Sequence, residues 1–129
     1  MQNRKAGQEM SNEYTVWNGD DWELHVHGLL KDRHGATNVM KIPARHSGDW
    51  GLDYYCLSEG VVYQCYAALE PLDVNERANK QKIKITGDLK SFAENKVDLS
   101  KLFSGIKISR WILVVPIHCL LYTSDAADE

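Results

Sequence analysis

The hydrophobic patterning predicts a mixed α/β (α+β) domain whose elements run helix, strand, strand, strand, helix, strand. Three observations carry this. A stripe of helical period follows a polar start, two short apolar runs meet at Glu59-Gly60, and a second helical stripe precedes the apolar run RWILVVPIH. In that order the first three strands form an antiparallel meander. The second helix then crosses over and lays the last strand parallel to the third.

Residues 1–18 are polar and without periodicity, which predicts a flexible N-terminal arm. A helix is predicted over 21–34. Asn18 or Asp20 caps it, Asp20 and Asp21 suit the positive end of its dipole, Trp22, Val26, Leu29 and Leu30 form its apolar face, and Gly35 stops it. TNVMKIPARH is β-like with a proline, an edge strand or one that ends at Pro43. LDYYCLS and VVYQCYA read as a hairpin turning on Glu59-Gly60. Val74, Ala78, Gln81, Ile85, Leu89 and Phe92 then mark one face of a long helix, weakened locally by Gly87. LSKLF suggests a short helical turn, and RWILVVPIH a strand buried on both faces of the sheet.

Hydrophobic residues make up 43% and charged residues 26%, the balance of a soluble globular chain. No apolar run is long enough for a bilayer span and no signal peptide heads the chain, so no membrane role and a cytoplasmic location are expected by default. The three cysteines lack paired spacing, which speaks against a disulfide scaffold and a zinc site. Among the histidines, His25 and His27 diverge on a helix and His34 and His46 lie at element ends. None receives a role from the sequence. The end of the chain, CLLYTSDAADE, resembles translated sequencing adapter and is read as a non-native tail over 119–129. The domain is then expected over 19–118 and truncated, with a further C-terminal region in the full protein. Without Asp125, Asp128 and Glu129 the 18 acids become 15 and balance the 15 basic residues, so net charge points to no partner.

The hairpin carries an aspartate in one strand and a glutamine in the other. With Ser58 and Val61 closing the turn, Tyr55 is expected opposite Gln64 and Asp53 opposite Tyr66, all on one face. Tyr54, Cys56, Tyr63 and Cys65 then occupy the other face, the cysteines as free buried thiols. A carboxylate and an amide oxygen on neighbouring strands are both ligands for a hard cation such as Mg²⁺.

The order αβββαβ, with an acid in the second strand and a polar residue in the third, resembles the PD-(D/E)xK restriction-endonuclease superfamily. GDWGLD followed by VVYQCY is similar to its Mrr-like branch, where GDxGxD precedes QxK, and WELHVHGLL is similar to that branch's first helix. The resemblance implies a restriction-endonuclease-like core and a DNA endonuclease domain that uses Mg²⁺ or Mn²⁺. Asp53 matches the metal-binding aspartate, Gln64 the glutamine that replaces the usual acid, and Glu23 the helix glutamate. Asp49 matches the first acid of GDxGxD, as a turn residue. Tyr66 stands where the branch has its lysine, and Lys80 or Lys84 is the candidate to supply that charge from the second helix; Lys82 points further away. The resemblance further implies a setting in bacterial anti-phage defence, with DNA as partner and a partner ATPase or homodimer as further associations. The alternative is an inactive nuclease fold that binds nucleic acid or docks a partner.

Overall fold

The computed structural model describes residues 16–43 and 50–117. Residues 1–15 of the expected N-terminal arm, His46, Asp49 and the tail over 119–129 lie outside the described residues, while Trp17, at the end of that arm, packs against the core. The elements are α1 (Gly19–His34), β1 (Met40–Lys41), β2 (Tyr54–Cys56), β3 (Val61–Cys65), α2 (Val74–Glu94), α3 (Lys96–Leu102) and β4 (Arg110–Val114). The four strands make one mixed sheet in the order β1-β2-β3-β4. β1, β2 and β3 are antiparallel neighbours and β4 is parallel to β3, as the order of elements predicts. No described helix is long and apolar enough to cross a membrane.

Asn18 caps α1 by accepting the Asp21 N–H, and Gly35 ends it at φ 93°. The buried face is Trp22, Val26, Leu30 and His34, one residue per turn. Leu29 is exposed, contrary to the sequence expectation, because a stripe this narrow reaches the sheet and the position before Leu30 is turned roughly 100° away. Against this stripe pack Val39, Tyr54, Cys56, Val61 and Tyr63, with Cys65 partly buried beside them. Ile42, Leu52, Tyr55 and Val62 form a second core on the opposite face, with Leu99 and Phe103 of the α3 region. The predicted separation of Tyr54, Cys56, Tyr63 and Cys65 from Tyr55 therefore holds, and both Cys56 and Cys65 are free thiols.

The register of the hairpin differs from the expectation by two residues. Cys56, not Ser58, faces Val61, and Tyr55 faces Val62 rather than Gln64. Leu57–Glu59 forms a 3-10 turn closed by the Gly60 N–H on the Leu57 carbonyl, with Gly60 at φ 64°. A shift of two preserves the face of every side chain, since strand side chains repeat every second residue.

α2 is also turned relative to the expectation. Arg77, Gln81 and Asp88 are its buried residues, while Val74 and Leu89 face solvent. The partners offered to this helix are polar. Arg77 makes a two-pronged pair with Glu70 at 2.8 Å on both arms, and Gln81 donates to the Ile117 carbonyl. Asp88 meets Gln64 of β3. An apolar stripe turned inward would leave these groups without partners, at a cost of about 1–3 kcal/mol each. β4 departs from the expectation as well. Instead of full burial, its residues from Trp111 to Val114 are half-buried, because it is the outer strand of the described sheet.

Candidate functional site

Gly51 sets the approach to the site. It sits at φ 79°, and a Cβ there would lie 2.2 Å from the Asp88 carbonyl oxygen, so the chain before β2 passes directly against the α2 backbone. Trp111 donates its indole N–H to the Gly51 carbonyl and holds the segment from the other side. Two residues later Asp53 is buried, at 6% exposure. The regular ladder stops here. The Asp53 N–H donates to the Tyr63 carbonyl, and the Cys65 N–H donates to Asp53 Oδ2 at 2.9 Å, so the side chain takes the place of a strand carbonyl. The Asp53 carboxylate also hydrogen-bonds with the Cys65 side chain.

Gln64 is buried at 2% exposure. Its Nε2 donates to Asp88 Oδ2 at 3.0 Å, and Lys84 Nζ lies 3.2 Å from the same oxygen. Because a carboxylate only accepts, the amide nitrogen must face Asp88, and Gln64 Oε1 points the other way. That oxygen is buried without a partner. Lys84 also stands over the Tyr66 ring, 5.7 Å from its centre. A cation from α2 thus lies beside Tyr66 and Gln64. Lys80 and Lys82 are exposed on the same helix.

Glu23 reaches the site's edge from α1. Its carboxylate is paired with Lys41, and its carbonyl accepts the Tyr54 hydroxyl at 3.3 Å. It shares a surface depression with Asp20, Leu24, His27 and Tyr54. Asp53 feels charges from both helices. Burial raises its pKa above the ordinary carboxylate value, the Cys65 N–H opposes this, Glu23 raises it further, and Lys41 and Lys84 lower it. Burial, and then the charges of Asp53 and Glu23, push the neighbouring Cys65 thiol up. Asp88 is the member that the sequence reading missed. Its signal was its place four residues after Lys84, which puts both on one helix face.

The Asp53 carboxylate and the orphaned Gln64 Oε1 are each oxygen donors of the kind that a hard cation such as Mg²⁺ or Mn²⁺ takes. The raised pKa of Asp53 makes its ionised form a cost to the fold. The associated stability is complete below the unfolded carboxylate pKa and is lost as pH rises through the folded one. Asp53→Asn keeps an acceptor for the Cys65 N–H and removes the charge. In chelator at neutral pH it should raise Tm by a few degrees, about 0.5–2 kcal/mol. Thermal melts in acid should show the gain vanish, since Asp53 is then already neutral. Comparison with protein-family models, curated proteins and solved structures returned no match.

Proposed function

We propose that the chain is a Mg²⁺-dependent DNA endonuclease domain with a restriction-endonuclease-like core, hydrolysing phosphodiester bonds. The observation that carries the reading is the meeting of Lys84 with Tyr66 beside buried Gln64, which supplies a cation where the motif QxK of the family it resembles would have one. Asp53 and Gln64 Oε1 would hold the metal, with Glu23 at its edge. When bound, Mg²⁺ polarises a phosphoryl oxygen and lowers the pKa of a bound water. Lys84 orients the attacking water and offsets charge developing on the phosphate. Asp88 steadies Lys84 and the Gln64 amide together, which fixes the direction of Gln64 Oε1.

The lysine series tests this. Lys84→Ala should reduce Mg²⁺-dependent nicking of supercoiled DNA by about 10²–10³-fold, the scale of losing one charge-stabilising donor. Lys80→Ala and Lys82→Ala should each change it by less than about threefold, with salt-dependent DNA binding retained in all three. Equal small effects across the series would remove Lys84 from the reaction. Binding without cleavage in any divalent metal would favour the inactive nuclease fold.

A further inference from the structure

We infer that His34, Cys56 and Glu59 form a zinc site that clamps the C-terminal end of α1 to the tip of the β2–β3 hairpin. One ligand atom from each, an imidazole nitrogen, a thiol sulfur and a carboxylate oxygen, lies within 4.8 Å of the other two. This is a different site from that of Asp53 and Gln64, which flank the other end of the hairpin. Its donors are also of a different kind. A thiolate and an imidazole select Zn²⁺ over Mg²⁺, and three protein ligands leave a fourth position open to water.

The surroundings suit ligation. His34 Nε2 lies 2.7 Å from the Tyr63 hydroxyl and Nδ1 lies 2.8 Å from Glu59 Oε2. The Tyr63 bond fixes the ring and leaves Nδ1 as the ligand atom, in the way a second partner orients metal-bound histidines. Cys56 Sγ lies 3.3 Å from the Ser58 hydroxyl, which can donate to a thiolate. Cys56 and the His34 ring are fully enclosed, whereas the Glu59 side chain is 48% exposed and gives the ion a way in from solvent. Tetrahedral Zn²⁺ sets its ligand atoms about 3.3–3.6 Å apart, given bonds near 2.0–2.3 Å. The His34–Glu59 contact must therefore open by about half an ångström, which the exposed Glu59 side chain accommodates by rotation.

Without metal, the carboxylate of Glu59 accepts from Nδ1–H and Nε2 accepts from the Tyr63 hydroxyl. On binding, the histidine proton moves from Nδ1 to Nε2 and is donated to Tyr63. The Cys56 thiol releases its proton to solvent, so affinity rises with pH. The sequence reading set zinc aside because no Cys/His spacing matched a known pattern. The ligands instead come from a helix end and a hairpin tip that only the fold brings together.

The test is titration of the chelator-treated chain with Co²⁺ and then Zn²⁺, read by absorption and thermal melting. The expected result is a sulfur-to-cobalt charge-transfer band with tetrahedral d–d bands, bleached by Zn²⁺, and a Zn²⁺-dependent rise in Tm. Cys56→Ser should abolish the band, while Cys65→Ser, Cys119→Ser and Asp53→Ala should keep it. Glu59→Gln, at an exposed position that does not threaten folding, should weaken Zn²⁺ binding by about 10–100-fold. The site is refuted if the band is absent, if it survives Cys56→Ser, or if Glu59→Gln binds Zn²⁺ as tightly as the parent chain.

Discussion

Asp53→Ala should lower Mg²⁺-dependent DNA nicking by at least about 10³-fold, equivalent to roughly 4 kcal/mol of transition-state stabilisation. Asp53 is the acid at the point where the β2–β3 ladder ends, buried, with Oδ2 accepting the Cys65 N–H. Alanine removes the carboxylate ligand, its charge, and the acceptor for the Cys65 N–H at once. Asp53→Asn separates these. It retains an acceptor for the Cys65 N–H, so it should fold at least as well as the parent while cleaving no better than the alanine variant. Plasmid nicking beside circular dichroism and thermal melts reads both. Persistent nicking in the folded alanine variant would show that the carboxylate is not the metal's anchor, and the endonuclease assignment would fall with it.

Gly51→Ala should be the most destabilising glycine-to-alanine substitution among the described residues. The new Cβ would lie 2.2 Å from the Asp88 carbonyl oxygen, 3.1 Å from its carbon and 3.2 Å from the Phe92 nitrogen. All three atoms belong to the α2 backbone, so no flexible side chain can yield. A left-handed conformation for alanine adds about 1–3 kcal/mol, and overpacking about as much again. A combined cost of roughly 2–6 kcal/mol is a large part of the 5–15 kcal/mol typical of a domain. If α2 moves to relieve the clash, it carries Lys84 and Asp88 away from Gln64, so cleavage should fall further than stability alone explains. Gly87→Ala is the control. It lies within α2 with nothing within 4 Å of its Cβ position, and should be neutral or stabilising by about 0.5–1 kcal/mol. Urea titrations of both variants give the comparison.

The contrast between these two glycines shows where sequence reading succeeds and stops. Gly87 is judged correctly from helix propensity alone. Gly51 is legible only as part of GDWGLD, and its physical role, close passage against Asp88, needs the position of a residue more than thirty places further along the chain. The site divides in the same way. Tyr54, Cys56 and Tyr63 were placed on one face and Tyr55 on the other from alternation, and that survived a register error of two because the pattern repeats every two residues. Lys80 and Lys84 could not be separated by sequence, since both flank the same stripe. The rotation of α2 left Lys80 in solvent and brought Lys84 to Asp88 and Tyr66.

The amino-acid order was enough for the helix near the start, the existence of the hairpin, the antiparallel meander and the parallel fourth strand. Each of these depends on periodicity, caps and turn residues within a few positions, or on connection lengths that allow few topologies. The tertiary structure alone decided the hairpin register, the polar inner face of α2, the half-exposure of β4, and the partners of Asp88 and His34. Those depend on groups that are distant in the chain. Gln64 and Asp88 are 24 residues apart, and His34 meets Glu59 and Tyr63 across 25 and 29. A buried polar atom must be matched wherever its partner lies, and the cost of leaving it unmatched outweighs the gain from turning one more apolar side chain inward. That inequality turned α2, and it is written in no local pattern.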